Sequence, residues 1–272
     1  MNNDLVIVLS SHIPPCYVSS TNMEYLCELK KVFELNSSDN INSQMDYVYI
    51  HYSKMTLTFS LKEKKQSYPA VPLPLALKLT LSFLHKIVLL QDEACVPLHG
   101  SAVHLLDQNL IFVASSGVGK STLVAFLILS GDASLISEDM SILNTESLNL
   151  EPIPRNILLR KNGYDILAKM YQNAMPPITY LENLQRFVFT PPIYDEKKLM
   201  VNKIIALDRD EKYSQAYLTV TEASILINNL YNVGNIVKNT MLCAKITGKT
   251  TYLTLHYNDL SQIPQVLKNH KL

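Results

Sequence analysis

Residues 109–130, NLIFVASSGVGKSTLVAFLILS, join a β-type run to a helical run through a short loop. That loop holds Gly117 and Gly119, two of only seven glycines in the chain. The helical run, residues 120–130, is apolar on every side, and a helix of that kind is stable only when covered all round. A strand, a tight loop and a fully apolar helix together demand layers, with a sheet on one side of the helix and further structure on the other. The rest of the chain supplies the material. Strands are expected over 98–106, 109–115 and 134–143, near 150–160, 186–190, 202–208 and 215–221, and over 251–257. Helices are expected over 73–91, 163–172, 221–245 and 260–269. The implied class is α/β with a mixed sheet.

Ahead of this block, residues 1–65 read as short strands with polar connections, from DLVIVLS near the start to MDYVYIHYSKMTLTFSLK at 45–62. The charged, proline-containing stretch 62–74, KEKKQSYPAVPLP, is the best boundary in the chain. The division expected is a strand-rich region 1–65, a linking helix within 66–97, and a main domain 98–272. Lys+Arg and Asp+Glu number 24 each, for zero net charge, which argues against nucleic acid as a partner. Cys16, Cys27, Cys95 and Cys243 are scattered without a metal-type spacing and read as reduced thiols. The apolar run 73–90 is broken by Lys78, His85 and Lys86, too many charges for a membrane span. The reading is a soluble cytoplasmic protein with no membrane partner.

The loop reads A-S-S-G-V-G-K-S against the phosphate-binding pattern G-x-x-x-x-G-K-[ST], with Ala114 in the first glycine position. Ser115, Ser116, Gly117, Val118 and Gly119 would turn backbone N–H groups onto phosphate oxygens. The helix beginning Lys120-Ser121-Thr122 would add its positive end. Lys120 would reach the β- and γ-phosphates, and the Ser121 hydroxyl would ligate Mg²⁺. ATP and Mg²⁺ are therefore the cofactors implied. Glu138 and Asp139 follow 18 and 19 residues after Lys120, with room for one helix and one strand between. A strand parallel to and beside the loop's own strand would bring them to the phosphates. There a carboxylate can hold Mg²⁺ and a second can accept the proton of an attacking hydroxyl. The competing reading is a solvated acidic turn. His99, on the strand paired with the loop's strand, either projects to the phosphates or sits in the core.

The segment 98–143, LHGSAVHLLDQNLIFVASSGVGKSTLVAFLILSGDASLISEDMSIL, resembles the catalytic core of the HPr serine kinase/phosphorylase family, with its His-Gly strand, hairpin, P-loop, short helix and acid pair. The resemblance covers 98–160 well and extends loosely through 186–192 and 203–209. It implies a fold like the nucleotide half of ATP-dependent phosphoenolpyruvate carboxykinase. It gives Asp139 the role of general base on an acceptor serine and Glu138 that of metal ligand, and places His99 beside the transferred phosphate. Arg155 and Arg186 fall where shorter relatives carry basic residues; each either neutralises charge on the phosphoryl group or is a structural arginine. Glu138 stands where the family usually has Asp, and the glycine-rich C-terminal segment of the bifunctional enzymes is missing. The better likeness is to small kinases found beside peptide natural-product genes, some of which phosphorylate the C-terminal serine of lasso-peptide precursors. The partner implied is a peptide or protein with an acceptor serine, with region 1–65 as a docking edge. Family members often form homo-oligomers. A small-molecule hydroxyl kinase of the same fold and a non-catalytic nucleotide switch stay open as alternatives.

Overall fold

The structure, a computed structural model, describes residues 3–8, 15–34, 37–38, 48–61, 64–88, 95–194, 199–222, 224, 236–246 and 248–270. The first part of the chain is built from β1 (Asn3–Ile7), β2 (Cys16–Ser20), α1 (Met23–Val32), β3 (Ser37–Ser38), β4 (Val48–Ser53), β5 (Thr56–Leu61) and β6 (Lys64–Tyr68). The six strands form one sheet in the order β3-β1-β2-β4-β5-β6. Alternation sets the faces: Val48, Ile50 and Tyr52 turn inward from β4. The hairpin from β4 to β5 turns at Lys54 and Met55, both at positive φ.

Two readings of this region need correction. It is not made of strands alone, since α1 lies within it. The signal for α1 was present: Asn22 accepts a hydrogen bond from the Tyr25 N–H as N-cap, Glu24 lies in the first turn, and Leu26, Leu29 and Val32 share the buried stripe with Tyr25. The charged break at 62–74 also contains a strand. β6 is the sheet's edge, and its exposed Lys64 and Lys65 suit an edge facing water.

α2 (Leu73–Val88) lies against this sheet, with Phe83 stacked on Phe59 and Thr80 hydrogen-bonded to Tyr25 at 2.6 Å. Their shared core also takes in Met140, Ile142, Ile153, Leu181, Leu184 and Val188 from the second half. Polar contacts reinforce the junction. Asn156 donates from its backbone N–H to the Val32 carbonyl (3.1 Å) and from Nδ2 to the Lys31 carbonyl (2.7 Å), while Asn183 donates to Glu28.

The second half runs β7 (Cys95–Leu98), β8 (Gly100–Leu105), β9 (Gln108–Val113), α3 (Lys120–Leu129), β10 (Ala133–Ser137), β11 (Ser141–Asn144), β12 (Leu150–Glu151), β13 (Ile157–Leu159), α4 (Lys161–Tyr171), β14 (Thr179–Leu181), β15 (Arg186–Phe189), β16 (Lys203–Arg209), β17 (Tyr217–Val220), α5 (Ile236–Ile246), β18 (Thr251–Tyr257) and α6 (Ile263–Asn269). Its main sheet has the order β10-β8-β9-β16-β18-β17, and the small sheets β12-β11-β7 and β13-β15-β14 flank it. The α/β class with mixed pairing is what the chain adopts. Of the helix expected over 221–245, residues 223 and 225–235 lie outside the described residues; 221 and 222 are not helical, and the later part is α5.

The apolar helix is α3, and Leu123 through Ile128 are all buried in it, as its composition requires. It packs between the main sheet and the layer of α4 and β13. Burying each of its large aliphatic side chains is worth about 1.5–3 kcal/mol, so this position is strongly enforced. β9 and β16 are parallel, as are β16 and β18, whereas β8 is antiparallel to both β9 and β10. The carboxyl ends of β9, β10, β16 and β18 therefore share one rim with the start of β8. β10 does run parallel to β9, but it is not beside it; the β8–β9 hairpin inserts β8 between them. The run 134–143, expected as a strand interrupted at its middle by the two acids, divides there into β10 and β11, which belong to different sheets.

α4 meets α3 closely at Gly163, where a Cβ would lie 2.4 Å from Thr122 Oγ1. Gly163→Ala should therefore destabilise the fold by about 1–3 kcal/mol, as overpacking does. The urea midpoint should fall, and the double variant Gly163→Ala/Thr122→Ala should lose less than the sum of the single losses. Strict additivity would show that the two helices do not meet here.

Candidate functional site

The loop after β9 turns through Gly117 (φ 93°) and Gly119 (φ 113°), and Gly119 is the N-cap of α3 in left-handed conformation. Side chains rarely adopt that region, so glycine is needed there. Gly119 offers no side chain to cap the helix, which leaves the first-turn amides available to an anion. Ser115 closes the loop by accepting the Val118 N–H through its carbonyl (3.4 Å), and the Val118 side chain packs on the core beneath. Ser116, Gly117, Gly119, Lys120, Ser121 and Thr122 line a cavity of about 980 Å³ that also contains His99, Glu138, Asp139, Arg155 and Arg186.

The acid pair is the turn by which the chain passes from β10 into β11. Asp139 sits at φ 65° and the Met140 N–H donates to the Glu138 carbonyl at 2.8 Å. A non-glycine residue in the left-handed region is strained, and such strain collects at working sites. Ser101, at the start of β8, holds the turn from below: its Oγ donates to Glu138 Oε2 (2.7 Å) and accepts the Asp139 N–H (3.2 Å). The Ser121 hydroxyl donates to Glu138 Oε1 at 2.6 Å, so Glu138 is held from both sides although it is only 2% exposed.

Asp139 Oδ2 accepts from the Arg155 guanidinium at 3.0 Å, and Oδ1 lies 3.2 Å from His99 Nε2. The same Nε2 lies 3.2 Å from Lys120 Nζ, which also donates to the Ala114 carbonyl at 3.4 Å. In a neutral ring that single nitrogen can accept from Lys120 or donate to Asp139, not both. Arg155, Asp139, His99 and Lys120 thus form one continuous polar chain. β8 makes this possible: running antiparallel between β9 and β10, it delivers His99 to the gap between the phosphate loop and the acids. Glu138 with Ser121 forms an oxygen pair fit for a hard cation that keeps some of its shell on phosphate and water. Among the described residues no group of three or more His, Cys, Asp or Glu could hold a metal by itself.

Arg186 also lines the cavity, but it donates to the backbone carbonyls of Gln185 (2.9 Å) and Leu184 (3.5 Å) and is not part of the Asp139 chain. Four cations escaped the reading of the sequence: Lys78 from α2, Arg160 before α4, Lys161 at its first residue, and Arg209 at the end of β16. Arg209 ends the strand beside β9, and its guanidinium would lie 3.8 Å from a Cβ on Gly119. Arg160 reaches Ser116 Oγ at 3.4 Å. Only the lysine of a loop motif and the neighbours of an acid pair carry a local signal; these four reach the cavity through sheet order and helix packing. Beneath the loop the Tyr257 hydroxyl is buried, its pKa pushed up to about 12 by burial, and it makes no hydrogen bond among the described residues. It would lie 3.6 Å from a Cβ on Gly119. Among the described residues, seven Lys and Arg side chains line the cavity against two carboxylates. In a chain of zero net charge, that concentration marks a site for anions.

No helix among the described residues is long and apolar enough to cross a membrane. No family model matches the chain, and no curated protein is similar to it. Among solved structures, the HPr(Ser) kinase/phosphatase from Coxiella burnetii is similar at 15% identity and a TM-score of 0.34, over 64% of this chain and 95% of that one.

Burial pushes the Lys120 ammonium below its ordinary 10.5, while the charges of Asp139 and Glu138 pull it back up. The unfolded chain then keeps this proton to higher pH than the folded one. The group's contribution to stability is therefore lowest at neutral pH and rises as pH climbs toward 10.5. Lys120→Met should gain on the wild type most at neutral pH, and the gap in melting temperature should narrow as pH rises. A gap independent of pH would contradict this account of the buried charge.

Proposed function

We propose that this chain is an ATP- and Mg²⁺-dependent kinase that transfers the γ-phosphoryl group to a serine hydroxyl of a peptide or protein. One observation carries the reading: the Asp139 carboxylate stands in the phosphate-loop cavity, a single imidazole away from Lys120. Phosphoryl transfer asks a protein for positioning and charge stabilisation, with a base in reach of the incoming hydroxyl. The loop amides and the start of α3 bind the phosphates, and Lys120 follows the β- and γ-oxygens. Ser121 and Glu138 would hold Mg²⁺, which would neutralise part of the charge on the phosphates. Arg155 fixes the Asp139 carboxylate through Oδ2, and Oδ1, beside the His99 ring, would take the acceptor's proton. With Lys120 drawn onto phosphate, His99 Nε2 is released to serve Asp139.

For the acceptor, the resemblance to the small kinases of lasso-peptide clusters points to the C-terminal serine of a precursor peptide. The exposed outer edge of β6 is where we place docking of an extended chain. Incubation with ATP, Mg²⁺ and serine peptides should add one phosphoryl mass. Asp139→Asn should keep nucleotide binding while the transfer rate falls by about 10²–10⁴-fold, the usual contribution of a general base. Transfer to small alcohols but never to peptides would change the acceptor class. Nucleotide binding without product from any acceptor would overturn the kinase reading.

A further inference from the structure

Two arginines face each other at one wall of the cavity. The antiparallel register of β13 and β15 pairs Leu158 with Val188 and Leu159 with Phe187. β13 ends there, but Arg160, the N-cap of α4, keeps an extended backbone (ψ 159°), so continuing the register by one residue would bring it opposite Arg186. Like charges directly opposite across an antiparallel pair are destabilising, so a chain that places them there gains something else. Both line the cavity. The carboxylates lining it cannot neutralise them, because Glu138 is engaged by Ser101 and Ser121, and Asp139 by Arg155. Arg186 is pulled below its ordinary value, first by burial and then by the charge of Arg160, with Tyr180 pulling it partly back, as expected where two guanidinium groups share a space.

The nucleotide does not need this pair in full. The loop amides, Lys120 and the cation serve the triphosphate, and Arg160 alone leans on the loop at Ser116. Arg186 is held by backbone carbonyls ahead of β15 instead. Beside it lies an aromatic wall, where Phe187 stacks on Tyr164 at 4.0 Å between ring centres and meets Tyr180 at 4.8 Å. Two guanidinium forks that line one cavity with Tyr180 and Phe187 suit an oxyanion carried on an organic chain, since the fork matches carboxylate and phosphate geometry.

We propose that Arg160 and Arg186 together form an oxyanion subsite for the acceptor, so that the preferred substrate carries a carboxylate or phosphate close to the hydroxyl that is phosphorylated. This deepens the kinase reading and rests on it for the word acceptor; the anion site itself does not.

Two measurements separate the two claims. In the first, protein saturated with Mg²⁺ and a non-hydrolysable ATP analogue is titrated with inorganic phosphate by calorimetry. Wild type should bind it, and Arg186→Gln and Arg160→Gln should each weaken it by about tenfold or more, the worth of one charged hydrogen bond. The Arg186→Gln variant should keep its nucleotide affinity. Without anions it should melt no lower than wild type, since a repulsion has gone. If Arg186→Gln does not fold, Arg160→Gln tests the other half of the pair. If the chain binds no nucleotide, titration of the free protein should show two classes of phosphate site, one lost in Lys120→Ala and one in the arginine variants. Phosphate affinity unchanged in both arginine variants, or nucleotide affinity falling as far as phosphate affinity in Arg186→Gln, overturns the subsite.

In the second measurement, serine peptides of one sequence are compared as acceptors with a free C-terminal carboxylate, as the C-terminal amide, and with a phosphoserine beside the acceptor. Carboxylate preference, phosphate preference or both, lost in Arg186→Gln, supports the proposal and tells which oxyanion is read. Equal use of the neutral amide sinks the subsite and leaves the kinase reading intact. Transfer to none of them, with phosphate binding as expected, sinks the kinase reading and leaves the anion site.

Discussion

The chain of charge from Arg155 through Asp139 and His99 to Lys120 is what the architecture around the cavity serves. Arg155 is 5% exposed and Lys120 6% exposed, and charges so removed from water are tolerable only when paired. Asp139 supplies the pairing, at the cost of a left-handed backbone. That backbone in turn requires Ser101 beneath it and a change of sheet at the turn. Removing the carboxylate would take an anion from a buried guanidinium, which is destabilising. Function and stability are thus drawn from the same four side chains.

The first sheet matters to this chain of charge although none of its strands lines the cavity. Met140 and Ile153, neighbours of Asp139 and close to Arg155, are buried in the core that the first sheet shares with α1 and α2. Asn156, next to Arg155, is tied to the end of α1 by two hydrogen bonds. α2 itself contributes Lys78 and Leu81 to the cavity. The N-terminal part therefore backs the acid turn from outside, and strain at Asp139 is held in place by packing that begins more than a hundred residues earlier in the chain.

The charge balance of the whole molecule hides the character of its cavity. Zero net charge is an average, and among the described residues the fold gathers seven cations around the cavity against two carboxylates. Low-dielectric walls strengthen such a field, and the field selects for ligands that bring negative charge. Arg209 and Arg160 approach the phosphate loop from β16 and from the start of α4, while Arg186 stands across from Arg160. None of these three belongs to a motif.

The sequence by itself determined the elements whose signals are local. Residues 109–130 could only be strand, loop and buried helix, because the apolar pattern and the two glycines leave no other arrangement. β18 appears over the same residues as expected, and the interruption of 134–143 was placed at Glu138 and Asp139. Lys120, Ser121, Glu138, Asp139, His99 and Arg155 were legible as candidates from motif and spacing or through resemblance. The tertiary structure decided how far those candidates meet: that β8 lies between β9 and β10, that Arg155 pairs with Asp139 while Arg186 faces Arg160, and that α1 and β6 complete the first sheet's layer. The physical reason is that periodicity and turn chemistry act over a few residues, whereas sheet order and register are settled by burial of surfaces far apart in the chain.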